Sequence, residues 1–143
     1  MPHAPSIRRA RADEGPQVLA LWREADATPS PTDTPLEVTK LLAEPSAVLL
    51  VAEADGRLVG TVIGGWDGWR GNIYRLAVDP AYRRRGIARA LVAEAERHLH
   101  RMGARRISAL VESDHPWATD FWDSLAASGY RHHERMRRYI KTL

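Results

Sequence analysis

The sequence contains no cysteine, which excludes a disulfide framework, a thiol nucleophile and a sulfur-ligated zinc. It has no apolar run of about eighteen residues, so no helical membrane span is expected. The start Met1-Pro2-His3-Ala4-Pro5 lacks the charged and apolar regions of a signal peptide. A cytoplasmic protein with no membrane partner is therefore expected. Internal repeats, low-complexity tracts and interdomain linkers are missing too. What is present is 143 residues of 44% hydrophobic content, enough for one substantial core and too little for two ordinary domains. A single domain over residues 1–143 is the expectation.

The net charge is +3, so the placing of the arginines matters more than the total. One cluster is Arg83, Arg84, Arg85 and Arg89; a second is Arg131, Arg135, Arg137, Arg138 and Lys141. A basic cluster is a solvated face, a phosphate site or a nucleic-acid site, and its local setting decides which.

The setting follows from periodicity. Ser6 to Ala10 reads as a short strand, followed by Asp13 as a helix N-cap, Pro16 in the first turn, and Val18, Leu21, Trp22 and Ala25 at helical spacing. Thr28-Pro29-Ser30-Pro31 breaks the pattern. Thr34-Pro35-Leu36-Glu37 then joins an N-cap, a first-turn proline and a capping-box glutamate, opening a second helix that ends near Glu44-Pro45. Ala47 to Glu53 and Leu58 to Trp66 are apolar, β-branched runs around an Asp55-Gly56 turn, and Asn72 to Val78 follows a turn at Asp67 to Gly71. Those three strands form an antiparallel meander. From Gly86 to Met102 one apolar stripe marks a long helix closed by Gly103. Arg106 to Val111 is a strand parallel to the one before that helix, which makes a βαβ unit. A last helix over Pro116 to Ala127 and terminal strands around Tyr130 and Met136 to Ile140, with a turn near His133-Glu134, complete a mixed α and β chain.

Arg83-Arg84-Arg85-Gly86-Ile87-Ala88-Arg89 sits between a strand and that long helix. The first N–H groups of a helix have no intrahelical acceptor, and the helix dipole adds positive potential there, so an anion satisfies both. Gly86 allows close backbone approach to a bulky diphosphate, Ala88 leaves room beside it, and arginine secures outer oxygens. An ordinary glycine-containing helix start with an exposed basic turn has the same residues, so the surrounding match matters.

Here the chain resembles the GNAT superfamily of acyl-CoA-dependent N-acyltransferases over essentially its full length. Leu76-Ala77-Val78-Asp79-Pro80 matches the family's apolar-Ala-Val-x-Pro strand end, and Tyr82 to Ala88 continues the match. The hairpin from Gly64 to Gly71 resembles a YpeA-like bacterial branch. The resemblance implies a central mixed sheet of six or seven strands with about four helices, and acetyl-CoA as cofactor with CoA as product. It further implies that the Leu76 N–H lies near the thioester carbonyl as oxyanion donor, that Ala77 and Val78 line the pantetheine arm, and that N–H groups from Arg84 to Arg89 surround the pyrophosphate.

Amide formation from a thioester needs a neutral amine, a donor for the developing oxyanion and a proton for the leaving thiolate. Many family members carry Asn-x-x-Ala-x-x-apolar-Tyr after the next strand; here it reads His115-Pro116-Trp117-Ala118-Thr119-Asp120-Phe121-Trp122. Ala118 and Phe121 fit, and the resemblance places all four of His115, Ala118, Phe121 and Trp122 at the cofactor. Trp122 stands where the tyrosine hydroxyl is usual, and indole N–H has no acid chemistry to offer. Gly129-Tyr130 lies three residues beyond the family spacing, which implies a longer or bulged final helix. Tyr139, Tyr74 and His115 are candidate acids; His115 is equally a candidate helix cap. Asn72 stands where some members carry a glutamate base, leaving Glu24, Asp26, Asp67 and Glu112 as candidates, against solvent exposure for the helix-end acids and turn formation for Asp67. Trp22 reads as core. Trp66 and Trp69 flank a hairpin tip and suit an acceptor pocket, a homodimer surface or local packing.

The leading expectation is an enzyme that moves an acetyl group from acetyl-CoA to a primary amine of a metabolite, peptide or protein, with no metal and no nucleic acid. A CoA-binding sensor without turnover and a small nucleic-acid binder are the competing expectations.

Overall fold

The computed structural model describes residues 5–143. Strand β1 (Ser6–Arg9) leads to helix α1 (Gly15–Glu24) and helix α2 (Pro35–Ala43), then to strands β2 (Ala47–Ala54), β3 (Arg57–Trp66) and β4 (Gly71–Val78). A single 3₁₀ turn at Pro80–Tyr82 precedes helix α3 (Ile87–Met102), strand β5 (Ile107–Ala109), helix α4 (Pro116–Asp123) and a second 3₁₀ turn at Ala126–Ser128. The chain divides into two compact units, one ending at Ala109 and one spanning Leu110–Leu143.

In the first unit the sheet order is β1-β2-β3-β4-β5, antiparallel except for the parallel pair β4 and β5. Alternation along the strands sends side chains to two helical layers. Leu49, Val51 and Ala77 pack with Val18, Leu19 and Trp22 of α1 and Val38 of α2. The opposite face receives α3, whose Ile87, Leu91, Val92, Ala95 and Leu99 are buried. Each of these side chains larger than alanine contributes roughly 1.5–3 kcal/mol by leaving water. Burial on both faces explains why β2 and β3 read as nearly continuous apolar runs.

The strand count corrects one expectation. The described residues hold five strands, not six or seven. Residues 131–143 form no strand and are exposed throughout; charged side chains crowd this segment and bury nothing that would offset the ordering cost of pairing. The turn there falls at Glu134–Arg135. Strand β5 covers Ile107–Ala109 rather than Arg106–Val111.

Two helix boundaries also differ. The N-cap of α1 is Glu14, with no side-chain cap bond, rather than Asp13, because the Glu14 carboxylate is held by the Arg8 guanidinium at 2.7 and 2.8 Å and by the Arg11 N–H at 2.7 Å. Helix α4 stops at Asp123 instead of continuing to Ala127. The Ser124 hydroxyl donates to the Phe121 carbonyl, a local bond that competes with helix propagation. At α2 the reading holds for the cap and the proline: Thr34 is the N-cap, its hydroxyl accepting the Glu37 N–H at 3.2 Å, and Pro35 opens the helix, while the Glu37 carboxylate meets Lys40 at 3.2 Å.

Candidate functional site

The backbone of β4 is irregular where its pairing changes. Thr61 pairs with Ala77 and Ile63 with Tyr74, so Arg75 and Leu76 stand opposite Val62 alone, which is a β-bulge. Arg75 takes φ +51°, a left-handed conformation that costs a non-glycine residue about 1–2 kcal/mol. Beyond the bulge the Asp79 N–H bonds the Val59 carbonyl at 2.8 Å. Strand alternation therefore turns the N–H group of Val78 toward the other edge. On that edge β5 pairs with β4 at Gly71, Asn72 and Ile73, leaving Tyr74 to Val78 uncovered by it. A strand edge that its neighbouring strand leaves suits an extended ligand with amide groups of its own.

After β4 the chain makes a turn fixed by Asp79, which accepts the Ala81 N–H at 2.9 Å and pairs with Arg57. Arg84 and Gly86 both adopt positive φ, +63° and +80°. Gly86 is the N-cap of α3, and its Cβ direction is open, with nothing within 4 Å. The Ala90 N–H bonds the Gly86 carbonyl at 3.0 Å. The N–H groups of residues 84 to 89 precede that first bond, at the positive end of the helix dipole. A helix N-terminus of this kind favours an anion. Ile87 is buried and anchors the helix start, while Ala88 is half-buried.

The arginines divide between two tasks. Arg83 Nε donates to the Val78 carbonyl at 3.2 Å and its terminal nitrogen to the Ala25 carbonyl at 3.4 Å, so it ties the turn to the end of β4 and of α1. Arg85 lies 4.9 Å from the Tyr82 ring, whose hydroxyl donates to Asp55 at 2.8 Å and is pushed up in pKa by that bond. Arg84, Arg85 and Arg89 are exposed and available to an anion.

A network that sequence reading did not find holds the bulge. The Trp22 indole N–H donates to the Thr61 hydroxyl at 2.9 Å, and that hydroxyl donates to the Arg75 carbonyl at 3.0 Å. The Arg75 guanidinium binds both carboxylate oxygens of Asp33 at 2.9 Å and lies 5.1 Å from the Trp22 ring. Trp22 is core, as its stripe implied, but it also carries this polar link. The one available signal was Thr61 itself, a lone hydroxyl in the apolar run Leu58 to Ile63. Trp22 and Asp33 also line a cleft of about 530 Å³ together with Leu19, Asp26 and Pro29.

The acid and base candidates are scattered. Asp26 lines the cleft with φ +58°. Glu24 is exposed at the end of α1 and does not line it. Asp67 accepts the Trp69 and Arg70 N–H groups at 2.8 and 2.7 Å, and those bonds hold its carboxyl below the ordinary range, so it organises the turn and is a weakened base. Tyr74 is partly exposed on β4, and Asn72 pairs with Gly65 and Ser108. Trp69 is exposed beneath the Arg70 guanidinium at 4.2 Å, and Trp66 is half-buried against Gly103.

In the Leu110–Leu143 unit, His115 stands at the N-cap of α4 without a side-chain cap bond; its Nδ1 lies 3.0 Å from Asp114, so the capping role is not filled. Ala118, Phe121 and Trp122 are half-buried on α4. The Trp122 ring meets Phe121 at 5.5 Å and Tyr130 at 5.0 Å, both edge-on, and Trp117 stacks on Phe121 at 6.2 Å. Glu112 is exposed beside Asp114 and His115, and Tyr139 is fully open to solvent.

Residues 16–126 match the model of the acetyltransferase (GNAT) family. An acetyltransferase of Photorhabdus laumondii is 39% identical over 108 residues, covering 76% of each chain. Among solved structures, the aminoglycoside antibiotic 6'-N-acetyltransferase AAC(6')-IG of Acinetobacter haemolyticus aligns with a TM-score of 0.78 at 22% identity, over 96% of this chain and 99% of that one. The PaiA N-acetyltransferase of Thermoplasma acidophilum, solved in complex with coenzyme A, aligns with a TM-score of 0.73 at 15% identity, over 85% and 89%. At those identities the two structures speak for the fold.

Proposed function

The chain belongs to the acetyltransferase (GNAT) family and transfers an acetyl group from acetyl-CoA to an amine, and from that premise we propose which residues carry the reaction. The N–H groups of Arg84 to Arg89 hold the pyrophosphate, with the Arg84, Arg85 and Arg89 side chains adding charge at the rim. Arg83 braces the turn from behind. Ala77 and Val78 present the strand edge to the pantetheine arm, and the Leu76 N–H faces the carbonyl oxygen. When bound, acetyl-CoA supplies the thioester that the amine attacks. A donor held rigidly at that oxygen favours the transition state, because charge develops there as attack proceeds. From the sequence pattern, His115, Ala118, Phe121 and Trp122 are assigned to the same ligand. The family match runs from residue 16 to 126, which supports one catalytic domain across the chain.

For the acceptor we look to the cleft beside Asp33. Asp26 offers the cleft a carboxylate for a primary amine of a metabolite or peptide, beside Arg23, while Asp33 is held by Arg75; Leu19 and Trp22 give it an apolar wall. Asp26 is the best-placed candidate base, acting on the ammonium directly or through water. Solvent protonates the departing thiolate, since Trp122 carries no acidic hydrogen.

The observation that carries the assignment is the α3 N-terminus capped by a glycine with φ +80° and an open Cβ direction, beside three exposed arginines. Gly86→Glu puts both a strained backbone residue and a negative charge there. Calorimetric titration with CoA is expected to show affinity falling by at least about tenfold, a loss of at least ~1.4 kcal/mol, with the circular dichroism spectrum unchanged. Unaltered affinity would place the pyrophosphate elsewhere.

A further inference from the structure

The bulge in β4 is held by a buried hydroxyl on the face of the sheet that α1 covers. We infer that Thr61 is a positioning residue for acetyl transfer: its hydroxyl, set by the Trp22 indole, fixes the Arg75 carbonyl and thereby the direction of the Leu76 N–H. The inference rests on the reading of Leu76 as oxyanion donor.

Four observations carry it. Thr61 is fully buried, at 0% exposure, so its hydroxyl has no water to bond and is committed to its two protein partners. Those partners use its two capacities in opposite senses: it accepts from Trp22 Nε1 at 2.9 Å and donates to the Arg75 carbonyl at 3.0 Å. The acceptor lies on the residue with φ +51°, a conformation that reverts toward the ordinary strand region unless surrounding contacts determine it. The peptide that carries the Arg75 carbonyl is the same peptide that carries the Leu76 N–H. Because a peptide is planar and trans, fixing the carbonyl oxygen on one side fixes the N–H on the other. A hydrogen bond on the core side therefore aims a donor toward the ligand edge.

The geometry also makes Thr61 different from its neighbours in the network. Asp33 and Trp22 constrain the Arg75 side chain, which turns about its own bonds without rotating the peptide. Thr61 acts on the peptide itself. If its hydroxyl is removed, the peptide plane between Arg75 and Leu76 is free to tilt, and the ligand-facing donor loses alignment while the proposed anion site at Arg84 to Arg89 is untouched.

Thr61→Val preserves shape and removes the hydroxyl; Thr61→Ser keeps the hydroxyl and removes a methyl. Steady-state acetyl-CoA turnover with an accepted amine, followed as thiol release, and calorimetric CoA binding are measured for wild type and both variants. Thr61→Val is expected to lower kcat by about tenfold or more, toward the ~10²–10³ seen when an oxyanion donor is lost outright. CoA affinity and the KM for acetyl-CoA stay within about twofold, and Thr61→Ser recovers most of kcat. Wild-type kcat in Thr61→Val overturns the inference while leaving the enzyme reading intact. Equal losses in both variants, or a CoA affinity that falls in step with kcat, overturn it too, since either marks a packing role. Absence of turnover in the wild type overturns the enzyme reading and this inference with it.

Discussion

Arg8, Glu14 and Glu53 form an ion cluster near the start of the chain, and its chemistry is readable residue by residue. Glu14 is nearly buried, bonds both terminal nitrogens of Arg8, and has its carboxyl held down to about 2, chiefly by the Arg8 bond against the opposing effect of burial. Its folded value lies below its ordinary 4.5, so the stabilisation is present above about pH 4.5 and is lost as pH falls toward 2. Glu14→Gln is expected to lower unfolding stability at pH 7 by about 2–3 kcal/mol, with the gap to wild type closing between pH 4.5 and 2. Urea midpoints at pH 7 and pH 3 check this, and a gap that does not narrow at pH 3 would contradict it. The residue scale is also where sequence reading was most uneven. Gly86 was legible, because a glycine between a basic turn and an apolar helical stripe has few roles. Thr61 and Arg75 were not, because a bulge exists in the pairing of two strands and leaves no mark on either alone.

At the scale of elements, the proposed pyrophosphate site depends on how closely α3 approaches the sheet. A Cβ at Gly60 of β3 would lie 2.9 Å from Leu91 Cδ1 and 3.1 Å from Ile87 Cγ2, and both side chains are buried with little room to yield. Both belong to the first turns of α3, beside the N–H groups proposed to hold the pyrophosphate. Gly60→Ala is therefore expected to destabilise the fold by about 1–3 kcal/mol and to weaken CoA binding by several fold. Thermal unfolding and calorimetric titration test the pair of effects; an unchanged melting temperature with unchanged affinity would mean that α3 shifts freely. The meander, α2 and α3 were all legible, since apolar periodicity, the Thr34 cap and the Asp55-Gly56 turn are local signals. The last helix was legible in its start at Pro116 but not in its end, and the terminal strands were not legible: Ser124 and the charged segment after Tyr130 do not support the elements read there.

For the whole molecule, one sheet serves two purposes. Helices α1 and α2 cover one face and bring Trp22, Asp33 and the cleft to the bulge; helix α3 covers the other and brings its N-terminus to the end of β4. The proposed donor and acceptor sides would meet at the irregular stretch Arg75-Leu76. Function at the level of the reaction was legible from Leu76 to Ala88, because the strand, turn and helix start each constrain residue type. The acceptor was not, because the cleft proposed for it is built from side chains of α1 and a loop whose packing no periodicity reveals.

The absence of cysteine makes the decisive measurement clean, since every thiol released comes from the donor. Purified protein is incubated with acetyl-CoA and a panel of primary amines, cationic metabolites and basic peptides included, and free thiol is read with a chromogenic disulfide. The expected result is amine-dependent thiol release that saturates in both substrates and falls at least about tenfold in Gly86→Glu. Tight CoA binding with no amine-dependent release, or release that Gly86→Glu leaves unchanged, would contradict an acetyltransferase whose donor sits on the Arg84 to Arg89 turn.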